Sequence, residues 1–165
     1  MSSYMNGKRE IVAWVNQRFP HNCTILDVGA CDGIWRQLLP EYTMDAVEVF
    51  PPNAERLKGY REVFCEDIDA LQYEYYDLII FGDVIEHMEV EKAQRVLAYA
   101  APRCRDMIVA VPYRLPQGEI YGNPWERHIQ DDLTPVIFDQ RYPGFEPLYM
   151  VVGYYAYYHK ESEPI

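Results

Sequence analysis

The stretch Thr24-Ile25-Leu26-Asp27-Val28-Gly29-Ala30-Cys31-Asp32-Gly33 decides how this chain is read. An apolar run reaches an acid, then breaks into a tight turn holding two glycines. Ile34-Trp35-Arg36-Gln37-Leu38-Leu39 follows as the opening of a helix. Strand, turn and helix in that order bring bare backbone N–H groups to the carboxyl edge of a sheet. Glycine suits the turn because a side chain there would hold a ligand away from the backbone. The expected occupant is a nucleotide-like molecule.

Working outward, Met5, Ile11, Val12, Val15 and Phe19 have the spacing of an amphipathic helix over 4–18, ended by Pro20. Cys23 to Val28 reads as the first buried strand, and the helix after Gly33 stops at Pro40. Met44 to Phe50 reads as a second strand closed by Pro51-Pro52, with Asn53 placed to cap a helix running through Ala54, Leu57 and Tyr60. Glu62 to Cys65 is a short third strand. The continuous apolar run Tyr76 to Gly82 is a strand covered on both faces. Residues 89–101 are helical by period, and Met107 to Val111 is a further buried strand ended by Pro112. A long loop over 112–130, rich in Pro, Gly and aromatic residues, has the length of a binding lid. Asp131 to Gln140 is a helix, and Leu148 to Lys160 is two strands hinged near Gly153. The alternation predicts an α/β fold: a doubly wound, Rossmann-like, mostly parallel sheet with a C-terminal antiparallel edge hairpin. At 165 residues it reads as one domain over 1–165.

Bulk composition removes several classes of function. With 15 basic against 26 acidic residues the net charge is −11, so nucleic acid is not an expected partner unless a basic subunit supplies the cations. No apolar run has the length of a membrane span and no leader is apparent, so the expectation is a cytoplasmic protein. Cys23, Cys31, Cys65 and Cys104 show no CxxC spacing and read as reduced thiols, not zinc ligands. The 15 tyrosines concentrate at 73–76 and 149–158, which suggests an aromatic sheet edge that covers itself or joins two copies in a homodimer.

Ligands of open α/β sheets lie over the carboxyl ends of the strands. Here those ends read Asp27-Val28-Gly29, Glu48-Val49-Phe50, Glu66-Asp67-Ile68 and Gly82-Asp83-Val84, placing four acids around one crevice. A pyrophosphate dinucleotide would want a full G-x-G-x-x-G and neutral or basic walls. An acidic rim instead suits a ligand bearing an ammonium, a sulfonium and a ribose, whose hydroxyls donate to carboxylates.

These elements together resemble the class I S-adenosylmethionine-dependent methyltransferases of the small methyltransferase-domain type. The matching segments are Leu26-Asp27-Val28-Gly29 with Gly33, Val47-Glu48-Val49, Glu66-Asp67-Ile68, Tyr76 to Ile80, Gly82 to Met88, Val109 to Tyr113, Glu126 to Ile129 and Gly144-Phe145. The resemblance implies S-adenosylmethionine as cofactor. Asp27, Gly29, Ala30 and Gly33 would shape the seat of its methionine part, and Glu48 would grip the ribose. Val49, Asp67 and Ile68 would hold the adenine, with Asp83 and Val84 near the sulfonium. Cys31 stands where such proteins usually have glycine. The resemblance leaves the acceptor open; a small neutral or cationic molecule, or an exposed group on a partner, fits the acidic rim. A catalytically silent cofactor-binding scaffold and a nucleic-acid methyltransferase with a basic partner are the rival readings.

No catalytic group is fixed by sequence. His87, His128 and Tyr113 are the candidates, and Tyr113, Tyr121 and Trp125 in the long loop are expected as substrate walls of an aromatic lid. Asp83, Glu86, His87 and His128 include ligand types for a divalent ion. The Glu-His pair is also common in members of the family that use none, so no metal is expected.

Overall fold

The computed structural model describes residues 5–162. Helix α1 spans Lys8–Arg18, and strand β1 is Thr24–Val28. There follow α2 (Ile34–Leu38), β2 (Thr43–Val47), α3 (Pro51–Ala54), β3 (Val63–Phe64) and β4 (Tyr76–Gly82). The chain continues through α4 (Val90–Ala100), β5 (Cys104–Pro112), α5 (Pro135–Arg141), β6 (Glu146–Val151) and β7 (Tyr155–Glu161). The seven strands form one sheet in the order β3-β2-β1-β4-β5-β7-β6. β1 to β5 are parallel and β7 joins β5 antiparallel, with β6 on the outer edge. This is the expected doubly wound sheet with its edge hairpin. The reversal between β6 and β7 turns at Gly153, which holds φ +94°.

The period of two along each strand sorts side chains onto two faces. Ile25, Met44, Leu78, Ile80 and Ile108 face one way and pack against Ile11 and Val15 of α1, Phe19 just after it and Trp35 of α2. Leu26, Val28, Ile79, Phe81 and Val109 face the other way, under α4 and Phe138 of α5. Because β1 and β4 lie at the centre, their side chains are sealed by helices on both faces. Their carboxyl ends, at Val28 and Gly82, open on a cavity. No helix among the described residues is long and apolar enough to cross a membrane.

Three of the boundaries that differ from the sequence expectation have a visible local cause. β2 ends at Val47, not Phe50, because Glu48 Oε1 accepts the Phe50 N–H at 2.8 Å and turns the chain. α3 lasts one turn. Phe50 stands at its N-cap position, Asn53 sits inside it, and Gly59 at φ +80° carries Tyr60 inward. α5 begins at Pro135 because proline holds Thr134 extended (φ −140°, ψ 167°), and the Thr134 hydroxyl then accepts the Ile137 N–H.

Candidate functional site

A cavity of about 290 Å³ opens over the ends of β1, β2 and β4. Its rear wall is the turn after β1. Gly29 and Ala30 both donate their N–H to the Val47 carbonyl, at 2.8 and 3.2 Å, which clamps this turn onto β2. Gly29 has φ +71°, and a Cβ there would stand 2.4 Å from Val84 Cγ2. Ala30 is buried, and its carbonyl accepts the Gly33 N–H at 2.7 Å; Gly33, at φ +73°, then opens α2. Cys31 takes a left-handed φ of +48° and donates its N–H to Glu48 Oε2 at 2.9 Å. A thiol therefore stands in the turn without displacing it, and burial pushes that thiol up to about 11, so it is uncharged.

Gly29→Ala tests this close approach. Left-handed backbone costs a non-glycine residue about 1–2 kcal/mol, and the Val84 methyl adds a clash. Thermal denaturation is expected to show a loss of about 2–3 kcal/mol. Val84→Ala in the same chain should recover the clash but not the backbone cost.

Glu48 sits at the end of β2, 5% exposed, with one backbone N–H on each oxygen and the cavity in front of it. Burial raises its pKa against the pull of those two N–H groups. Val49, Asp67 and Ile68 continue the wall. Asp67 is held by Lys92 Nζ at 2.6 Å and by the Asp69 N–H at 3.0 Å. Asp83 and Val84 close the floor. Asp83 has φ +59°, a region aspartate tolerates better than most residues, and Tyr155 Oη donates to its Oδ1 at 2.5 Å.

At the level of sequence, no family model and no curated protein matches the chain. Solved structures do. The chain is similar to the Burkholderia thailandensis 1,6-didemethyltoxoflavin-N1-methyltransferase, whose structure holds S-adenosylhomocysteine and 1,6-didemethyltoxoflavin. Identity is 17%, the TM-score is 0.70, and the match covers 96% of this chain and 79% of that one. It is also similar to the N-terminal domain of EvdMO1 with S-adenosylhomocysteine bound, at 14% identity, TM-score 0.72, and 98% and 83% coverage. A third is an S-adenosylmethionine-dependent methyltransferase from Clostridium acetobutylicum, at 11% identity, TM-score 0.70, and 95% and 91% coverage. The chain has the class I methyltransferase fold.

Within this methyltransferase fold, the residues singled out from sequence fall into three places. Gly29, Glu48, Val49, Asp67, Ile68, Asp83 and Val84 face the cavity together. Ala30 and Gly33 shape the turn from behind. Asp27 also lies behind the cavity wall, 1% exposed, with Tyr60 Oη donating to its Oδ2 at 2.6 Å and no partner on Oδ1. Burial pushes Asp27 up to about 7, against the Tyr60 hydrogen bond and the charge of Lys8.

Tyr113 does not face the site. It is buried and its hydroxyl pairs with that of Tyr158 beneath α5. The reason is strand alternation: Val109, Val111 and Tyr113 share one face, and that face belongs to the core. Tyr121 is 96% exposed and forms no part of the cavity wall, whereas Trp125 does. His87 and His128 both line the cavity with ring centroids 4.7 Å apart. Burial, and then the neighbouring His128 ring, lower His87 to about 4, so its ring is neutral.

The loop over 112–130 is strapped down at its far end. Glu86 O accepts the Ile129 and Gln130 N–H groups at 2.8 and 2.9 Å, and Gln130 Nε2 donates to Ile85 O and Met88 O. Asn123 Oδ1 caps the short turn that carries Trp125.

Two contributors escaped the sequence reading. Lys8 is fully buried, its Nζ 4.5 Å from the Trp35 ring centroid and 3.5 Å from Tyr157 Oη. Burial lowers its pKa, while Asp83 and Asp27 pull the other way. A signal existed: Lys8 precedes Ile11 and Val15 at helical spacing, a lysine on the apolar stripe. Tyr60, which engages Asp27, had no such signal.

Proposed function

We propose that this chain binds S-adenosylmethionine across the ends of β1, β2 and β4. It uses the cofactor to methylate a small neutral or cationic molecule, or an exposed group on a partner, by in-line displacement. The observation that carries the reading is Glu48: a buried carboxylate, fixed by two backbone N–H groups, that presents its remaining lone pairs to the cavity at the end of β2. A pair of ribose hydroxyls is the donor set that such a carboxylate accepts.

The other residues fit the same occupant. Gly29 holds the turn close against Val84, and the Asp27 carboxyl behind that turn gives the seat a negative charge that suits an ammonium. Val49 and Ile68 offer apolar walls for a flat base. When bound, S-adenosylmethionine supplies a methyl group on a sulfonium that departs with both bonding electrons as a neutral thioether. The chain's own part is positional. Asp83, Val84 and the loop over 112–130 confine the acceptor to the line of attack, a contribution that does not depend on a strong base. Glu66, Glu89 and Glu126 join the other acids on the cavity wall, while its one lysine, Lys92, is committed to Asp67. An anionic acceptor is therefore disfavoured.

The four cysteines are all thiols, which suits a reducing cytoplasmic setting. The outer hairpin leaves Met150, Val152 and Tyr154 exposed, and this is the edge through which two copies would pair.

Calorimetric titration of S-adenosylhomocysteine into the purified chain tests the proposal. One site with a micromolar dissociation constant is expected. No heat of binding with folded protein would overturn it. Binding without methyl transfer from labelled S-adenosylmethionine to any of a panel of amines, alcohols and phenols would favour the silent scaffold.

A further inference from the structure

One group in the cavity has no task in cofactor binding. The Glu86 carboxyl is 1% exposed and lines the cavity, and neither of its oxygens has a hydrogen-bond partner. A buried carboxylate without donors is costly, and an arginine or lysine is the usual remedy. Among the described residues none is available. Lys92 is held by Asp67 at 2.6 Å, Arg127 by Glu119 at 3.2 Å and Arg141 by Asp132 at 2.6 Å. The charges facing Glu86 are those of Asp83 and Glu126, which deepen the deficit.

Two imidazoles converge on the same spot. His87 Nδ1 lies 3.1 Å from the Arg127 carbonyl, and His128 Nδ1 lies 2.6 Å from the Leu115 carbonyl. A carbonyl only accepts, so each Nδ1 carries a proton, and Nε2 is the ring atom left to act as a ligand. An acid–base dyad would put an imidazole N–H on the carboxylate. Here both N–H groups are spent on the main chain, the outer-shell arrangement that orients metal-ligating histidines. One ligand atom from each of Glu86, His87 and His128 lies within 4.8 Å of the others.

We propose that Glu86, His87 and His128 bind a divalent transition-metal ion of the zinc class. Two imidazoles and one carboxylate are a matched donor set for such an ion. Glu86 and His87 are adjacent on the turn after β4. His128 is brought to them by the loop whose end is hydrogen-bonded to that same turn. Bonds of about 2.0–2.2 Å require the three side chains to close in by roughly 1 Å, a small rotamer adjustment. Three protein ligands leave a coordination position open toward the cavity, where an oxygen or nitrogen of the acceptor would sit. That last role rests on the methyltransferase reading above; the metal site itself does not.

The test begins with the full chain stripped by a chelator and dialysed. Zn²⁺ is then titrated calorimetrically, and Co²⁺ is added in parallel to read its visible absorption. One ion per chain is expected, with a Co²⁺ spectrum of low coordination number. Glu86→Gln, which keeps the shape and removes the charge, and His128→Asn should each weaken Zn²⁺ by at least roughly 10- to 100-fold, the loss that even outer-shell changes cause. His21→Ala should bind as the unmutated chain does. Thermal melts establish that the variants are folded, and His128→Asn carries the test if Glu86→Gln does not fold. Absence of Zn²⁺ and Co²⁺ binding, or affinity unchanged in both variants, overturns the proposal. S-adenosylhomocysteine titrated into the same metal-free sample separates the two readings. Cofactor without metal sinks only the metal site, and metal without cofactor sinks only the methyltransferase reading.

Discussion

Glu48→Ala is expected to weaken S-adenosylhomocysteine binding by roughly 100-fold or more, measured calorimetrically beside the unmutated chain. Hydrogen bonds to a charged acceptor contribute about 1.5–3 kcal/mol each, and the ribose would place two on this one carboxylate. The same substitution also frees the Cys31 and Phe50 N–H groups, which Glu48 accepts at 2.9 and 2.8 Å. The turn that presents Gly29 and the turn into α3 then lose a shared tie. Some of the affinity loss is therefore disorder in the walls. Glu48→Gln separates the two contributions. Its amide keeps the size but must aim an NH₂ at one of the two backbone N–H donors, so it cannot satisfy both. A Glu48→Gln chain that binds with unchanged affinity would remove the ribose from this position.

The second large effect is a pH dependence centred on Asp27. In the unliganded chain, burial pushes this carboxyl up to about 7, so below that pH it holds a proton. A ligand ammonium seated against the Gly29 turn, in front of Asp27, needs the charge of the carboxylate. Binding at lower pH must therefore expel the proton first, and affinity should rise about tenfold per pH unit up to about pH 7 and then level off. Stability of the unliganded chain runs the other way. The folded pKa lies above the unfolded value of about 3.9. The native state thus holds more protons between those values, and stability falls as pH rises from about 4 to about 7. Titrations at several pH values between 5.5 and 7.5, with thermal melts at the same points, check both slopes. Asp27→Asn should flatten them and bind weakly throughout, because an amide NH₂ has no attraction for an ammonium. A dissociation constant that ignores pH in the unmutated chain would place the ammonium elsewhere.

Both predictions concern residues that were visible in the sequence, because acids at the ends of apolar runs stand out from what precedes them. The same local logic placed the strands, since Tyr76 to Gly82 and Met107 to Val111 are too apolar to be anything but covered. It erred where a distant partner decided. α3 was expected to continue through Tyr60 on spacing alone, yet Tyr60 turns inward to a carboxylate 33 residues away. Tyr113 looked like part of an aromatic lid, but strand alternation carried it into the core against Tyr158.

Local order along the chain settles which segments extend, where they break and which strand ends carry acids. Apolar period, proline and glycine act over a few residues, and a parallel sheet brings such ends to one side. What those acids meet depends on contacts between residues far apart in the chain. Lys8 enters the core beside Trp35 and Tyr157, Tyr155 reaches Asp83 from 72 residues away, and Glu86 is left with two imidazoles and no donor. Burial and long-range contact set the charge states of this site, and no local pattern encodes either.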